Sequence, residues 1–357
     1  MIDEAFAARA IHEEQLRMMF SCCHPRLPEE AQLALILNIL CGFGAEEIAR
    51  AFLAGRAAVE KRIARGKKAL AGPRRLFELT DAGFAARLGT VQRALYLLFN
   101  EGYHGASDEE PVRAELCEEA LRLTLLLREH PAAATPSTDA LAALMSLHAA
   151  RLPARRDAGG ELSSLADQDR ARWDPALTAQ GLSLLQQASR GDTLDAYHVE
   201  AALAAAHASA RSVEETDWTL IVSLYDRLMA LGPSPIVALN RAIAIGQRDG
   251  PEAGLEAIRA IADRKRLERY PFLPAAIAEL ELRRGDHAAA RRQFEAARAS
   301  ARSDPERRFL EKRLRLCDAA RASSSLASGG PPLASADRSV SAPCDRAASR
   351  SATPRAR

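Results

Sequence analysis

EEIARAFLAGRAAVEKRIARGKKAL, residues 46–70, has the spacing of a helix-turn-helix whose second helix is heavily basic. Two short helices that cross steeply need small or apolar side chains where they touch, and Ile48, Ala49, Phe52, Val59 and Ile63 fall at those inward positions. Arg56, Lys61, Arg62, Arg65, Lys67 and Lys68 fall outward, with Glu60 the only acid among them. A helix charged in this way, laid in a major groove, meets phosphates on both sides. The same pattern also suits an ordinary solvated face, and spacing alone does not choose. Ala45 stands where a Ser or Thr cap is expected, and Ala54-Gly55 is a thin apolar anchor between the helices.

The approach segment, LPEEAQLALILNILCGFG from Leu27 to Gly44, weighs toward DNA. Pro28 suits a first helical position. Leu33, Leu35, Ile36, Leu37, Ile39 and Leu40 make a nearly all-round apolar helix, and Gly42 with Gly44 breaks it before the next one. The three segments together read as a small trihelical DNA-binding unit.

At these residues a resemblance becomes specific. PEEAQLALIL, a glycine turn, EEIARAF and a basic helix ending in RGKKAL resemble region 4 of an extracytoplasmic-function sigma factor, the module that reads the promoter −35 element. The phrases LYLLFNEGY (Leu95 to Tyr103), ALMSLHAARLPARRD (Ala143 to Asp157), LADQDRARWD (Leu165 to Asp174) and TDWTLIVSLYDRLMALGPSPIVALNRAIAI (Thr216 to Ile245) resemble the group of such factors with a long C-terminal tetratricopeptide-like extension. The resemblance runs from about Leu16 to about Leu316 and implies promoter −35 DNA and the RNA polymerase core as partners. It also implies that Arg56, Lys61, Arg62 and Arg65 contact bases or phosphates while Lys67 and Lys68 hold the backbone. The apolar surface of the helix Glu29 to Leu40 is expected to form the core and to meet the polymerase flap. In that family a region 2 domain, which melts the −10 element, precedes region 4. Only about two dozen residues stand before Pro28, so a partial form or a start inside a longer frame is expected, one that does not open a promoter alone.

Bulk properties point to the cytoplasm. The chain has 357 residues, enough for two or more folded units. Its net charge is only +2, so affinity for nucleic acid has to come from clustering. Between Glu60 and Arg75 stand seven Lys or Arg against one acid. No apolar run approaches the roughly 18 residues of a membrane helix, and the N-terminus lacks a signal layout. The six cysteines contain no CxxC pair, and Cys22-Cys23-His24 with Cys41 reads better as buried thiols than as a zinc corner. His12-Glu13-Glu14 lacks the second histidine of a zinc-protease helix. No metal, cofactor or catalytic residue is expected.

With eight Val in the chain and few alternating runs, the fold class is all-α. Three units are expected: a helix-turn-helix domain over 1–76, a tetratricopeptide-like helical extension over 77–320 and a disordered Ser/Ala/Pro/Gly-rich tail over 321–357, where six Arg face two Asp. A shift of 36 residues carries Ala278, Ala290, Phe294 and Ala297 onto Ala242, Gly254, Ile258 and Ile261, the pattern of stacked helical hairpins. A marginal hairpin is expected at Ala158-Gly159-Gly160. The polar stretch from His148 to Asp174 interleaves Arg with Asp and reads as salt bridges and caps, or as a loop that receives region 4 or an acidic guest, rather than as an acid-base set. Trp218 and Tyr225 share a face that suits core packing. Two functions fit: a sigma-type initiation protein whose extension replaces a separate inhibitor, or a helical-repeat adaptor with a vestigial DNA-binding module.

Overall fold

The computed structural model describes residues 14–23, 27–51, 54–71, 81–104, 112–268, 270–301 and 303–328. A first helix, α1, covers residues 14–22. It is followed by α2 (Glu29–Ile39), α3 (Ala45–Ala51), α4 (Arg56–Leu70), α5 (Asp81–His104), α6 (Ala114–Glu129) and α7 (Pro136–Ala149). After a long loop come α8 (Pro175–Ala188), α9 (Ala196–Ser209), α10 (Trp218–Leu231), α11 (Pro235–Asp249), α12 (Pro251–Arg259), α13 (Phe272–Arg283), α14 (His287–Ala299) and α15 (Asp304–Ser328). The helices begin where local chemistry favours it. Pro136, Pro175, Pro235 and Pro251 occupy first turns, where a missing N–H costs nothing, and Thr135, Asp174, Asp195, Asp217 and Asp286 accept bonds from orphan amides.

Among the described residues no strand forms. At the expected hairpin the chain makes a turn with Gly160 at φ 80° and a single antiparallel bridge, Arg156 to Leu162. One bridge does not make a ladder, because Asp157 Oδ1 takes the amides of Gly159 and Glu161 at 2.9 and 3.0 Å. The expected start of the tail at residue 321 is too early: α15 continues through Arg321 to Ser328, since its Ala and Ser residues extend an existing helix at little cost, and 329–357 lie outside the described residues.

One apolar core links α1 through α7. Met19, Phe20, Leu35, Ile36, Ile48 and Val59 belong to the same buried cluster as Phe84, Val91, Leu95, Leu123, Leu141 and Met145. The expected boundary at 76/77 lies in 72–80, outside the described residues, and the core on its two sides is continuous. Farther along, α11 and α12 cross at bare backbone: a Cβ on Gly254 would stand 2.8 Å from the Gly246 Cα. The 36-residue pattern falls on two successive packed pairs, α11–α12 and α13–α14, where Ala242, Gly254, Ile258, Ala278, Ala290, Phe294 and Ala297 are buried and Ile261 half-buried. Trp218 and Tyr225 are half-buried against the cluster around Ile221 and Ala244, as core residues.

α4 seats on α2 in the same manner. Gly66 stands against Leu35, whose Cδ1 would be 2.6 Å from a Cβ at that position. Gly66→Val should therefore destabilise the chain by about 1–3 kcal/mol through overpacking. Gly89→Ala, in α5 with nothing within 4 Å of the added carbon, should stabilise it by about 0.5–1 kcal/mol. Thermal melts of both variants check this, and equal shifts of the same sign would contradict the packing.

Candidate nucleic-acid interface

The turn before α3 is built from backbone. Gly42 takes φ 69°, Phe43 donates its amide to Leu37 O at 3.0 Å, and Asn38 donates Nδ2 to Phe43 O at 2.7 Å. The cap of α3 is Gly44 rather than Ala45. Its amide donates to Glu47 Oε2 at 2.8 Å, half of a capping box in which the third helical residue reaches back. The other oxygen of Glu47 pairs with Arg113 at 3.3 Å, and Arg113 in turn lies 5.6 Å over the Phe43 ring. The loop ahead of α6 thus holds the start of α3. Between α3 and α4, Ala54 donates to Ala49 O at 2.8 Å and Gly55 leads extended into α4; Phe52 lies outside the described residues.

Val59, Ile63 and Gly66 are the buried side of α4, and Ile48 and Ala49 of α3 are buried against it. The six cations divide into three groups around that axis. Lys61, Arg65 and Lys68, spaced four and three residues apart, form one exposed outward stripe with the small residues Ala57 and Ala64 beside it. Arg56, at 65% exposure, pairs with Glu46 of α3 at 3.1 Å and with Glu60 at 2.8 Å; hydrogen bonding and charge from Glu60, then Glu46, raise its pKa further. Lys67 is exposed on that same flank. Arg62, on the other flank and only 29% exposed, pairs with Glu30 of α2 at 2.5 Å. Among the described residues no carboxylate is paired with Lys61, Arg65, Lys67 or Lys68. Lys67 and Lys68 also occupy the last turn, where cations offset the helix dipole.

The apolar surface of α2 goes into the core as expected, but little of it is left to meet a partner: Ala31 to Leu37 are all buried, with α3, α4 and α5 packed on the helix, and among its described residues the apolar side chains Ile39 and Leu40 are half-buried. Pro28, expected inside the helix, is its cap and accepts the amides of Ala31 and Gln32. Sequence reasoning also missed Gly66, the Glu30–Arg62 pair and the Glu47–Arg113 pair. A glycine inside an otherwise well-formed basic helix was the one local signal available.

The polar stretch His148 to Asp174 is fixed by caps and salt bridges, as expected, but its ion pairs reach outside it. Its arginines bond carbonyls and rings rather than the neighbouring aspartates. Arg155 donates to Tyr103 O at 3.0 Å, Arg170 to His207 O and Ala210 O at 2.5 and 2.6 Å, and Arg172 to Arg156 O at 2.9 Å. Arg151 and Arg170 flank the Trp173 ring at 5.4 and 5.0 Å. Asp169 and Asp174 cap helical turns. The remaining acids receive α15: Lys312 meets Asp157 at 3.1 Å, Arg308 meets Glu161 at 2.9 Å and Arg313 reaches Asp167 at 3.7 Å. The guest of the loop is thus a basic helix of the same chain, not region 4 or an acidic segment. Cys22, Cys23 and Cys117 are buried and Cys41 half-buried, and desolvation pushes the thiols of Cys22, Cys41 and Cys117 up to about 12. Among the described residues no group of His, Cys, Asp and Glu could hold a metal ion, and no helix is long and apolar enough to cross a membrane.

Comparisons with known proteins place this geometry. The family described as Sigma-70, region 4 matches residues 17–70, which takes in α1 through α4. A family of unknown function (DUF6596) matches residues 87–189. The uncharacterized protein R00370 of Rhizobium meliloti (strain 1021) is 40% identical over 304 residues, 85% of this chain and 71% of that protein. No solved structure matches the chain.

His207 supplies a pH test of the loop. Burial, then the charges of Arg151 and Arg170, lower its pKa to about 4 from an ordinary value near 6.5. The unfolded chain therefore binds the proton first. The stability this represents is present above pH 6.5 and is lost as pH falls toward 4, by roughly 3 kcal/mol at most. His207→Phe should flatten the pH dependence of the melting temperature across that window; an unchanged profile would contradict the assignment.

Proposed function

We propose that this chain, which belongs to the family of the Rhizobium meliloti protein and carries a sigma-70 region 4, is a cytoplasmic sigma-type transcription-initiation protein and not an enzyme. Its region 4 binds promoter DNA at the −35 element and works with the RNA polymerase core. The observation that carries this reading is the exposed outward stripe of α4, Lys61, Arg65 and Lys68, which has no carboxylate partner among the described residues and stands on a helix-turn-helix whose inward side is buried. In the major groove this stripe faces base edges and the nearest phosphates. Arg56 and Lys67 follow one backbone strand, and Arg62 takes the other after exchanging Glu30 for a phosphate. Partly exposed ion pairs are worth only about 0.2–1 kcal/mol, so that exchange costs little.

The extension, with tetratricopeptide-like pairs α11–α12 and α13–α14, regulates region 4 through packing. Among the described residues the extension leaves the outward face of α4 exposed, so packing rather than covering is the proposed means. Its contact with region 4 runs from α5 to α2 and from Arg113 to Glu47. Control of DNA affinity through these contacts shifts the pose of α4 on α2. The domain division follows the same reading, with region 4 through residue 76, the helical extension through the end of α15 at Ser328 and a tail beyond.

Fluorescence anisotropy of the full chain with a promoter duplex across a salt series tests the interface. Lys68→Ala and Lys67→Ala should each weaken binding to all sequences alike and lower the logarithmic salt slope by about one unit per lost phosphate contact. Arg65→Ala and Lys61→Ala should also relax the sequence preference among selected duplexes. Unchanged affinity in all four would sink the interface and favour the adaptor reading, in which the extension alone recruits a protein.

A further inference from the structure

Between α5, α7 and α9 lies a cavity of about 120 Å³ whose wall includes Tyr96, Phe99, Asn100, Met145, His148 and Glu200. Its chemistry is uneven. Phe99 and Met145 supply an apolar floor, while one end holds the Glu200 carboxylate. Tyr96 donates its hydroxyl to Glu200 Oε2 at 3.1 Å and is itself bonded by Asn100, so this row of polar groups is fixed in orientation. Among the described residues no Lys or Arg forms an ion pair with Glu200. The charge that acts on it is another acid, Asp195 at the start of α9, and burial and Asp195 both raise the pKa of the Glu200 carboxyl, partly offset by the Tyr96 bond. A half-buried carboxylate held by Tyr96, with a second acid nearby and no cationic partner among the described residues, favours a positively charged guest.

We infer that this cavity binds a small primary alkylammonium ion, its ammonium on Glu200 and its alkyl group against Phe99 and Met145. The size fits, since an apolar cavity of about 150 Å³ admits benzene. The charge fits because an ammonium donates charge-assisted hydrogen bonds to a carboxylate such as that of Glu200. The rings of Tyr96 and Phe99 favour a cation further. A carboxylate or phosphate ligand is disfavoured by the same two acids. The cavity is also placed to matter, for Tyr96, Phe99 and Asn100 lie on α5, the helix that packs on α2 beneath the DNA-facing α4. The inference stands apart from the DNA-binding reading.

Calorimetric titration of the full chain with n-propylammonium chloride, and in parallel with n-propanol, is the test. Wild type should show saturable one-site binding of the ammonium, at least about tenfold tighter than of the alcohol, as expected when a charged hydrogen bond is replaced by a neutral one. Glu200→Gln should lose about tenfold or more toward the ammonium while changing the alcohol little, and Tyr96→Phe should lose severalfold. Melting curves establish that the variants fold; should Glu200→Gln fail to fold, the ratio of ammonium to alcohol in wild type decides alone. Absence of saturable ammonium binding, equal binding of the two probes, or undiminished binding in folded Glu200→Gln overturns the inference. DNA affinity of ligand-free Glu200→Gln, read in the same samples, keeps this outcome separate from that of the interface.

Discussion

The amino-terminal half of the molecule depends on one close contact, Leu35 of α2 against the bare backbone of α4 at Gly66. A mid-helix glycine costs roughly 1 kcal/mol of helix propensity relative to alanine. It is retained here because the helices approach too closely for a Cβ. Seating α4 at that depth buries Val59 and Ile63, directs Lys61, Arg65 and Lys68 away from the protein, and brings Arg62 within reach of Glu30. The outward placing of this cationic stripe is thus a consequence of packing on its opposite side.

α2 is the point where region 4 and the extension meet. It is apolar nearly all round because it has neighbours on several sides, α3, α4 and α5. In the proposed function, a change in α5 reaches α4 through the α2–α4 seam without the extension touching DNA. The Glu47–Arg113 pair adds a second, electrostatic connection at the start of α3. Loop and C-terminal helix are joined in a comparable way farther on, where Asp157, Glu161 and Asp167 hold the basic side of α15.

Much of this was legible in the residues. Proline and aspartate mark nearly every helix start after residue 130, and the inward residues of the helix-turn-helix follow from spacing alone, because small and apolar side chains at fixed intervals mark a face that packs. What escaped was set by tertiary partners. Glu30 and Arg62 are 32 positions apart, Glu47 and Arg113 are 66 apart; no local pattern joins them. The interleaved Arg and Asp of the long loop suggested mutual pairing, yet carbonyls, indole and a distant helix offered better geometry. α2 suggested a free apolar face because the sequence does not show how many helices surround it. Glu200 carried no signal at all until α9 placed it beside Tyr96.

The most direct test of the central claim is DNA cleavage directed from a metal chelate attached at position 65 through Arg65→Cys, with the same chelate at Arg283→Cys on α13 as control. Cuts from position 65 confined to the two strands bordering one major groove, and absent from the control, are the predicted result. Absence of cuts from position 65 while duplex is bound, or an identical pattern from both positions, would contradict the placement of α4 in the groove.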